Sequence, residues 1–327
     1  MLYIADVSII LYNGSQCYLR VKCHCRMGKL RYEQKTRAIF FAVLAAALYA
    51  INSPISKLLL EHVPATLMAS FLYFGAGIGL FGVNLVQKAT GKGNSELPLT
   101  KKELPYTVGM VVLDIAAPIF LMLGLTMTTA ANASLLNNFE IVATAVIALV
   151  LFKEAITKRL WAAILCVTVA SILLSFEDMS SLTFSTGSLF VLLACVCWGL
   201  ENNFTRMLSS KSPIQIVIIK GLGSGAGSLA LALAIGERFG SPICIIPALL
   251  LGFVAYGLSI FFYIYAQRDL GAAKTSAYYA ISPFIGTLLS LVIFRQLPSI
   301  TFIIALAIMI LGAWLATEDT SKEPSAV

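Results

Sequence analysis

The chain has 327 residues, of which 59% are hydrophobic and only 12% charged, with a mean hydropathy of +0.88. A soluble domain carries about 25% charged residues, so this composition excludes an ordinary globular domain and places the chain in the membrane class. The net charge of +7 would suggest nucleic acid in a soluble protein. Here the basic residues fall in the gaps between apolar runs, as the positive-inside rule describes, and no nucleic-acid partner is expected.

Residues 1–37 form a basic tail with seven Lys/Arg between Arg20 and Arg37, and their first apolar stretch is too short and broken to span. No small-residue cleavage site follows it, so it is not read as a signal peptide. Cys17, Cys23, His24 and Cys25 lack the C-x₂₋₄-C spacing of zinc ligands, and no metal is expected. Translation from Met27 would leave MGKLRYEQKTR before the first span, and the intact mass of the natively expressed protein decides between the two starts.

Ten apolar segments follow, at about 38–57, 64–86, 104–125, 130–152, 158–176, 185–207, 213–236, 243–266, 272–294 and 299–317. Each approaches the roughly 20 residues that cross about 30 Å of hydrocarbon. Residues 318–327 are a second tail. With the N-terminus inside, 19 basic residues lie on the cytoplasmic side and only Lys57, Arg238 and Arg295 on the other. Both termini are therefore expected in the cytoplasm, with the chain multi-pass in the plasma or inner membrane.

The fourth and ninth segments are copies. Residues 130–157 and 272–299 align without a gap at an offset of 142, with Ala130-Ala131 on Ala272-Ala273, Ser134 on Ser276 and Phe152-Lys153-Glu154 on Phe294-Arg295-Gln296. The first and sixth segments align at an offset of 149, with Tyr49, Lys57 and Pro64 on Trp198, Arg206 and Pro213. Five spans per half is an odd number, so the second half enters the membrane from the opposite side. The expected fold is an all-α polytopic membrane protein with ten transmembrane helices in two inverted five-helix repeats, 38–176 and 185–317. Secondary transporters built this way place the substrate near the midplane between the halves.

The start-of-half patterns Y-A-I-N-S-P-I-S-K and W-G-L-E-N-N-F-T-R, the LFKEAIT ending of the fourth segment and the order of the ten spans resemble the EamA-type drug/metabolite transporters. The resemblance covers 38–317 and implies alternating-access movement of a small metabolite or drug, often export. The family's mid-helix Pro is kept as Pro283 in the second half, but Ile141 stands there in the first, directly after Glu140. The closing Glu is kept as Glu154 and replaced by Gln296 in the second half.

Polar groups inside hydrocarbon are costly and call for a function. Asp114 lies about 15 Å into the third span at 1.5 Å per residue, with Tyr256 as its repeat twin, and Glu140 is as central in the fourth. Either carboxylate is suited to proton coupling or to receiving a cationic group, with at least one protonated in part of the cycle. The bland alternative is a structural hydrogen bond or a pair with Lys220. Glu201 and Lys220 are expected to pair across their hairpin; otherwise Lys220 would hold a substrate carboxylate, as an amino acid requires. Tyr49, Asn52, Asn137, Asn138, Trp198, Asn202, Tyr278 and Tyr279 are candidates to line a cavity, against packing roles for the aromatics. Lys57 and Arg206 read as snorkelling anchors, and Pro54, Pro118 and Pro283 as bends. The Gly75–Gly79 and Gly221–Gly227 runs read as close helix packing, not nucleotide loops.

The function expected is a secondary transporter, exporting a small organic metabolite such as an amino acid or a drug-like cation and coupled to protons through Glu140 or Asp114. The competing classes are a polytopic membrane enzyme and a channel or structural subunit. His24 and His62 lie outside the spans, and HExxH, G-x-S-x-G and Walker motifs are absent from the sequence, so neither an enzyme nor a cofactor is expected. The expected partners are a small-molecule substrate and the lipid bilayer, with a homodimer left open.

Overall fold

The computed structural model describes residues 36–90, 97–153, 156–178, 183–208, 211–239, 242–270, 275 and 278–319. The basic tail with its Cys17–Cys25 cluster and Met27, Glu154, the repeat markers Ala272, Ala273 and Ser276, and the tail beyond Asp319 lie outside the described residues. Eight helices are long and apolar enough to cross a membrane, and two shorter apolar helices accompany them.

We name the helices in chain order. They are α1 (Thr36–Leu59), α2 (Ala65–Ala89), α3 (Leu104–Met127), α4 (Ala130–Leu136 and Phe139–Phe152), α5 (Lys158–Ser175), α6 (Thr186–Leu208), α7 (Pro213–Ala234), α8 (Pro242–Leu270), α9 (Ser282–Phe294) and α10 (Ile300–Asp319). A short antiparallel pair, β1 (Phe176–Asp178) and β2 (Thr183–Phe184), joins α5 to α6. It falls where the sequence shows only a gap between spans.

The fourth span is expected as one helix, and the structure corrects this. After Leu136 the chain tightens to i→i−3 bonding: Asn138 N–H donates to Leu135 O, Glu140 N–H to Asn137 O and Ile141 N–H to Asn138 O, all at 3.1–3.2 Å. Asn side chains compete with the backbone for hydrogen bonds, and two in succession locally unwind a helix. The Asn138 amide donates to Leu135 O at 3.1 Å, and the Cys195 thiol points at Leu136 O at 3.6 Å. α9 starts after a comparable turn at Ala280–Ile281, with Pro283 in its first turn. Pro54 likewise sits just past the turn at Ile51 within α1. Pro118, by contrast, lies inside an unbroken α3.

α2 packs on α7, α5 on α10, and the first piece of α4 on α9. Glycine permits the tightest of these contacts. A Cβ on Gly221 would fall 2.4 Å from the backbone N of Gly77, and one on Gly77 would fall 2.7 Å from the N of Leu222. α8 meets α2 as closely: a Cβ on Gly252 would sit 2.0 Å from Leu72 O. Residues 252–258 of α8 are a π-helical turn there, and they carry Tyr256. The main apolar core threads through these contacts, from Leu67, Leu72 and Leu121 to Val191 and Met309.

Candidate functional site

Two polar assemblies sit among the helices. In the first, the Lys220 ammonium lies 3.1 Å from Asp114 Oδ2 and 3.0 Å from Glu201 Oε1. The Tyr73 hydroxyl donates to Asp114 Oδ1 at 2.8 Å, and the Thr205 hydroxyl donates to Glu201. All three charged residues are buried, Asp114 completely. The glycine seam explains their meeting. Gly221 follows Lys220 and lies against the backbone of Tyr73 and Gly77, so α7 reaches α2 and α3 at the level where Asp114 and Glu201 face it. Lys220 thus serves both carboxylates and leaves the assembly with one net negative charge when all three are ionised.

In the second assembly, the Asn202 amide donates to Glu140 Oε1 at 2.6 Å and reaches Thr144 Oγ1 at 3.4 Å. Gly199 makes this possible, because a Cβ there would fall 2.6 Å from that of Ala143 and hold α6 off α4. Asn203 then ties the two helices through Thr144 O at 3.2 Å. Glu140 has no ion-pair partner among the described residues. Its carboxylate is within electrostatic reach of Glu201, Lys220, Tyr49, Tyr256, Tyr279 and Cys195. It sits in the first turn of the second piece of α4.

A run of packed tyrosines lies within electrostatic reach of Glu140. The rings of Tyr49 and Tyr256 lie 5.8 Å apart, Tyr49 and Tyr279 5.9 Å, Tyr73 and Tyr256 5.2 Å, and Tyr263 and Tyr279 5.0 Å. The Asn52 amide donates to the Tyr256 hydroxyl at 3.2 Å, and Ser259 lies 3.3 Å from the Tyr279 hydroxyl. Tyr73 contacts both repeat twins, Asp114 through its hydroxyl and Tyr256 through its ring. Tyr49, Glu140, Asn202 and Tyr279 keep part of their surface open, whereas Asn52, Tyr73, Asp114 and Tyr256 are sealed.

Of the residues singled out in the sequence, Tyr49, Asn52, Asp114, Glu140, Asn202, Lys220, Tyr256 and Tyr279 therefore gather in this region. Asn137 and Asn138 form the break beneath Glu140. Trp198 is packed in the main core, and Tyr278 is 38% exposed. Lys57 does not simply snorkel: its ammonium donates to Leu125 O and, at 3.0 Å, to Thr128 O, capping the C-terminal end of α3. Tyr73, Thr144 and Thr205 are missed by the sequence reading. The glycines beside Tyr73 were its available signal, since small residues mark where a helix approaches its neighbour.

A cavity of about 1050 Å³ opens at one end of the bundle, lined by Lys57, Thr128, Asn132, Ser185, Gln296 and Thr301 among others. It does not contain the acids. Glu201 lies about 24 Å along α6 from Ser185 at 1.5 Å per residue, so the ion triad lies well away from this opening.

The model of the EamA-like transporter family matches residues 36–176 and 185–317. This chain belongs to the EamA-like transporter family. The transporter is 25% identical over 289 residues to an uncharacterized transporter of Methanothermobacter thermautotrophicus, covering 84% of each chain. It is 23% identical over 253 residues to the uncharacterized transporter YyaM of Bacillus subtilis, covering 72% of this chain and 82% of that one. A crystal structure of a protein 18% identical superposes with a TM-score of 0.65, covering 88% of this chain and 99% of that one, and shares the fold. The transporter is thus a multi-pass membrane protein with a lipid environment and a small-molecule substrate, and its family points to transport rather than catalysis.

Proposed function

We propose that the protein is a secondary transporter that exports a small organic solute by alternating access, with ten spans in two inverted repeats and both termini cytoplasmic in the plasma or inner membrane. The observation that carries this reading is the paired interruption of α4 and α9. The turns at Asn137-Asn138 and Ala280-Ile281 fall within one residue of each other at the repeat offset of 142, and polar side chains converge beside the first. Discontinuous helices at the midplane are where inverted-repeat carriers hold their substrates. Packing of α2, α4 and α5 on their own counterparts α7, α9 and α10 fits a twofold relation between halves. The excess of basic residues on one side supports the orientation.

Glu140 is the proposed coupling residue. Asp114 is held by Lys220 and Tyr73, whereas Glu140 has one neutral amide donor and a partly exposed side chain. The test is counterflow in proteoliposomes with labelled amino acids and organic cations at two internal pH values. Saturable flux that responds to the pH gradient in wild type, but not in Glu140→Gln, is the expected result. pH-sensitive flux in that variant would remove Glu140 from coupling, and absence of flux for every solute would overturn transport.

A further inference from the structure

We propose that the site takes solutes with a net-positive, ammonium-type head group, seated against Glu140 and the faces of Tyr49 and Tyr279, and that it discriminates against a carboxylate on the same solute. The inference rests on the transporter reading and specifies its substrate class.

Three observations converge. The first is charge. The two assemblies hold three carboxylates, Asp114, Glu140 and Glu201, against one ammonium, Lys220, and that ammonium is occupied by two of them at 3.0 and 3.1 Å. A substrate carboxylate would have to displace Asp114 or Glu201 from a buried pair, a step that leaves a buried charge uncompensated. The second is the carboxylate left over. Glu140 accepts from the neutral Asn202 amide at 2.6 Å, has no cationic partner among the described residues, and its side chain is partly exposed. The third is the wall. Tyr49, Tyr256 and Tyr279 lie with ring centroids 5.8 and 5.9 Å apart around Tyr49, and Tyr49 and Tyr279 retain exposed surface. Electron-rich ring faces beside a carboxylate attract a desolvated cation and offer nothing to an anion.

The test uses three solutes with one phenyl ring and different charge: 2-phenylethylamine, phenylalanine and 3-phenylpropionate. Binding to the purified full chain is measured by calorimetry, and counterflow by the same solutes is measured in proteoliposomes. The amine is expected to bind at least about tenfold more tightly than phenylalanine, whose carboxylate meets the excess acidic charge with Lys220 already occupied, and 3-phenylpropionate not at all. Glu140→Gln should weaken amine binding about tenfold or more, Glu140→Asp should retain most of it, and Tyr49→Leu should weaken it several-fold. Equal or tighter binding of phenylalanine, or amine binding unchanged in Glu140→Gln, overturns the assignment. Failure of transport is distinguishable. Glu140-dependent amine binding without counterflow leaves the cation site standing and removes the carrier reading. Counterflow of phenylalanine or 3-phenylpropionate with no amine binding does the reverse.

Discussion

Lys220 and Asp114 form an ion pair at 3.1 Å with the carboxylate wholly buried, and the same ammonium also holds Glu201 at 3.0 Å. Removing the one cation strands two acids near each other in a low dielectric. Lys220→Met should cost about 3–5 kcal/mol of stability, the range for breaking a buried pair. Adding Asp114→Asn should recover part of that loss, because the two sites share a partner. Thermal unfolding of the detergent-solubilised single and double variants checks this. Additive losses would show that the triad is not a unit.

The seam between α2 and α7 sets a steric limit. Gly221→Val would drive side-chain atoms into the Gly77 backbone, which a Cβ alone already approaches at 2.4 Å. Overpacking of this kind costs about 1–3 kcal/mol or more. Gly82, on α2, has nothing within 4 Å of its Cβ position, so Gly82→Ala should be neutral or stabilise by up to about 1 kcal/mol. Melting temperatures of the two variants should move in opposite directions or differ by several degrees.

Glu237 reaches across from the end of α7 to the start of α2. Its carboxylate accepts Leu67 N–H at 2.8 Å and Thr66 N–H at 3.2 Å, at a helix whose own N-cap, Pro64, makes no side-chain cap. Glu237→Ala should cost about 1 kcal/mol, the usual loss of a cap. Hydrogen exchange should rise first at Thr66 and Leu67; unchanged protection there would deny the cap its role.

Lys153 and Arg295 close α4 and α9 with left-handed backbone, at φ 59° and φ 50°. A side chain without β-branching tolerates this at about 1 kcal/mol, and glycine removes the strain. Arg295→Gly should be neutral or slightly stabilising, whereas Arg295→Val should destabilise. Equal melting temperatures for the two would show that the cap geometry is not under strain.

The sequence made the spans legible because each is a long apolar run, and the glycine runs because small residues have a clear reason to recur at a helix seam. The copy at offset 142 even foreshadows the paired caps, since Lys153 and Arg295 fall on each other. The interruption of α4 was harder to see. Asn137 and Asn138 were marked as polar cost inside a span, but their effect on the backbone depends on local hydrogen-bond competition that apolar length does not register. Partners across helices were the least legible. Asn202 with Glu140, and Tyr73 with Asp114, are joined by rotation of one helix against another, which Gly199 and the Gly77–Gly221 contact fix in three dimensions. That Lys220 is shared between Asp114 and Glu201 is visible only in the fold.

Asp114 and Tyr256 occupy the same place in the two copies, an acid in one and a phenol in the other, while the backbone turns at Lys153 and Arg295 remain alike. Duplication has kept the frame and let the furnishings diverge. A carrier with identical halves would offer a solute the same handhold from either side and gain no sense of direction from its own chemistry. Here the matched positions are both buried but differently satisfied: Asp114 pairs with Lys220, and the Tyr256 hydroxyl accepts from the Asn52 amide. The two copies thus share a backbone frame and differ in the chemistry buried at its centre.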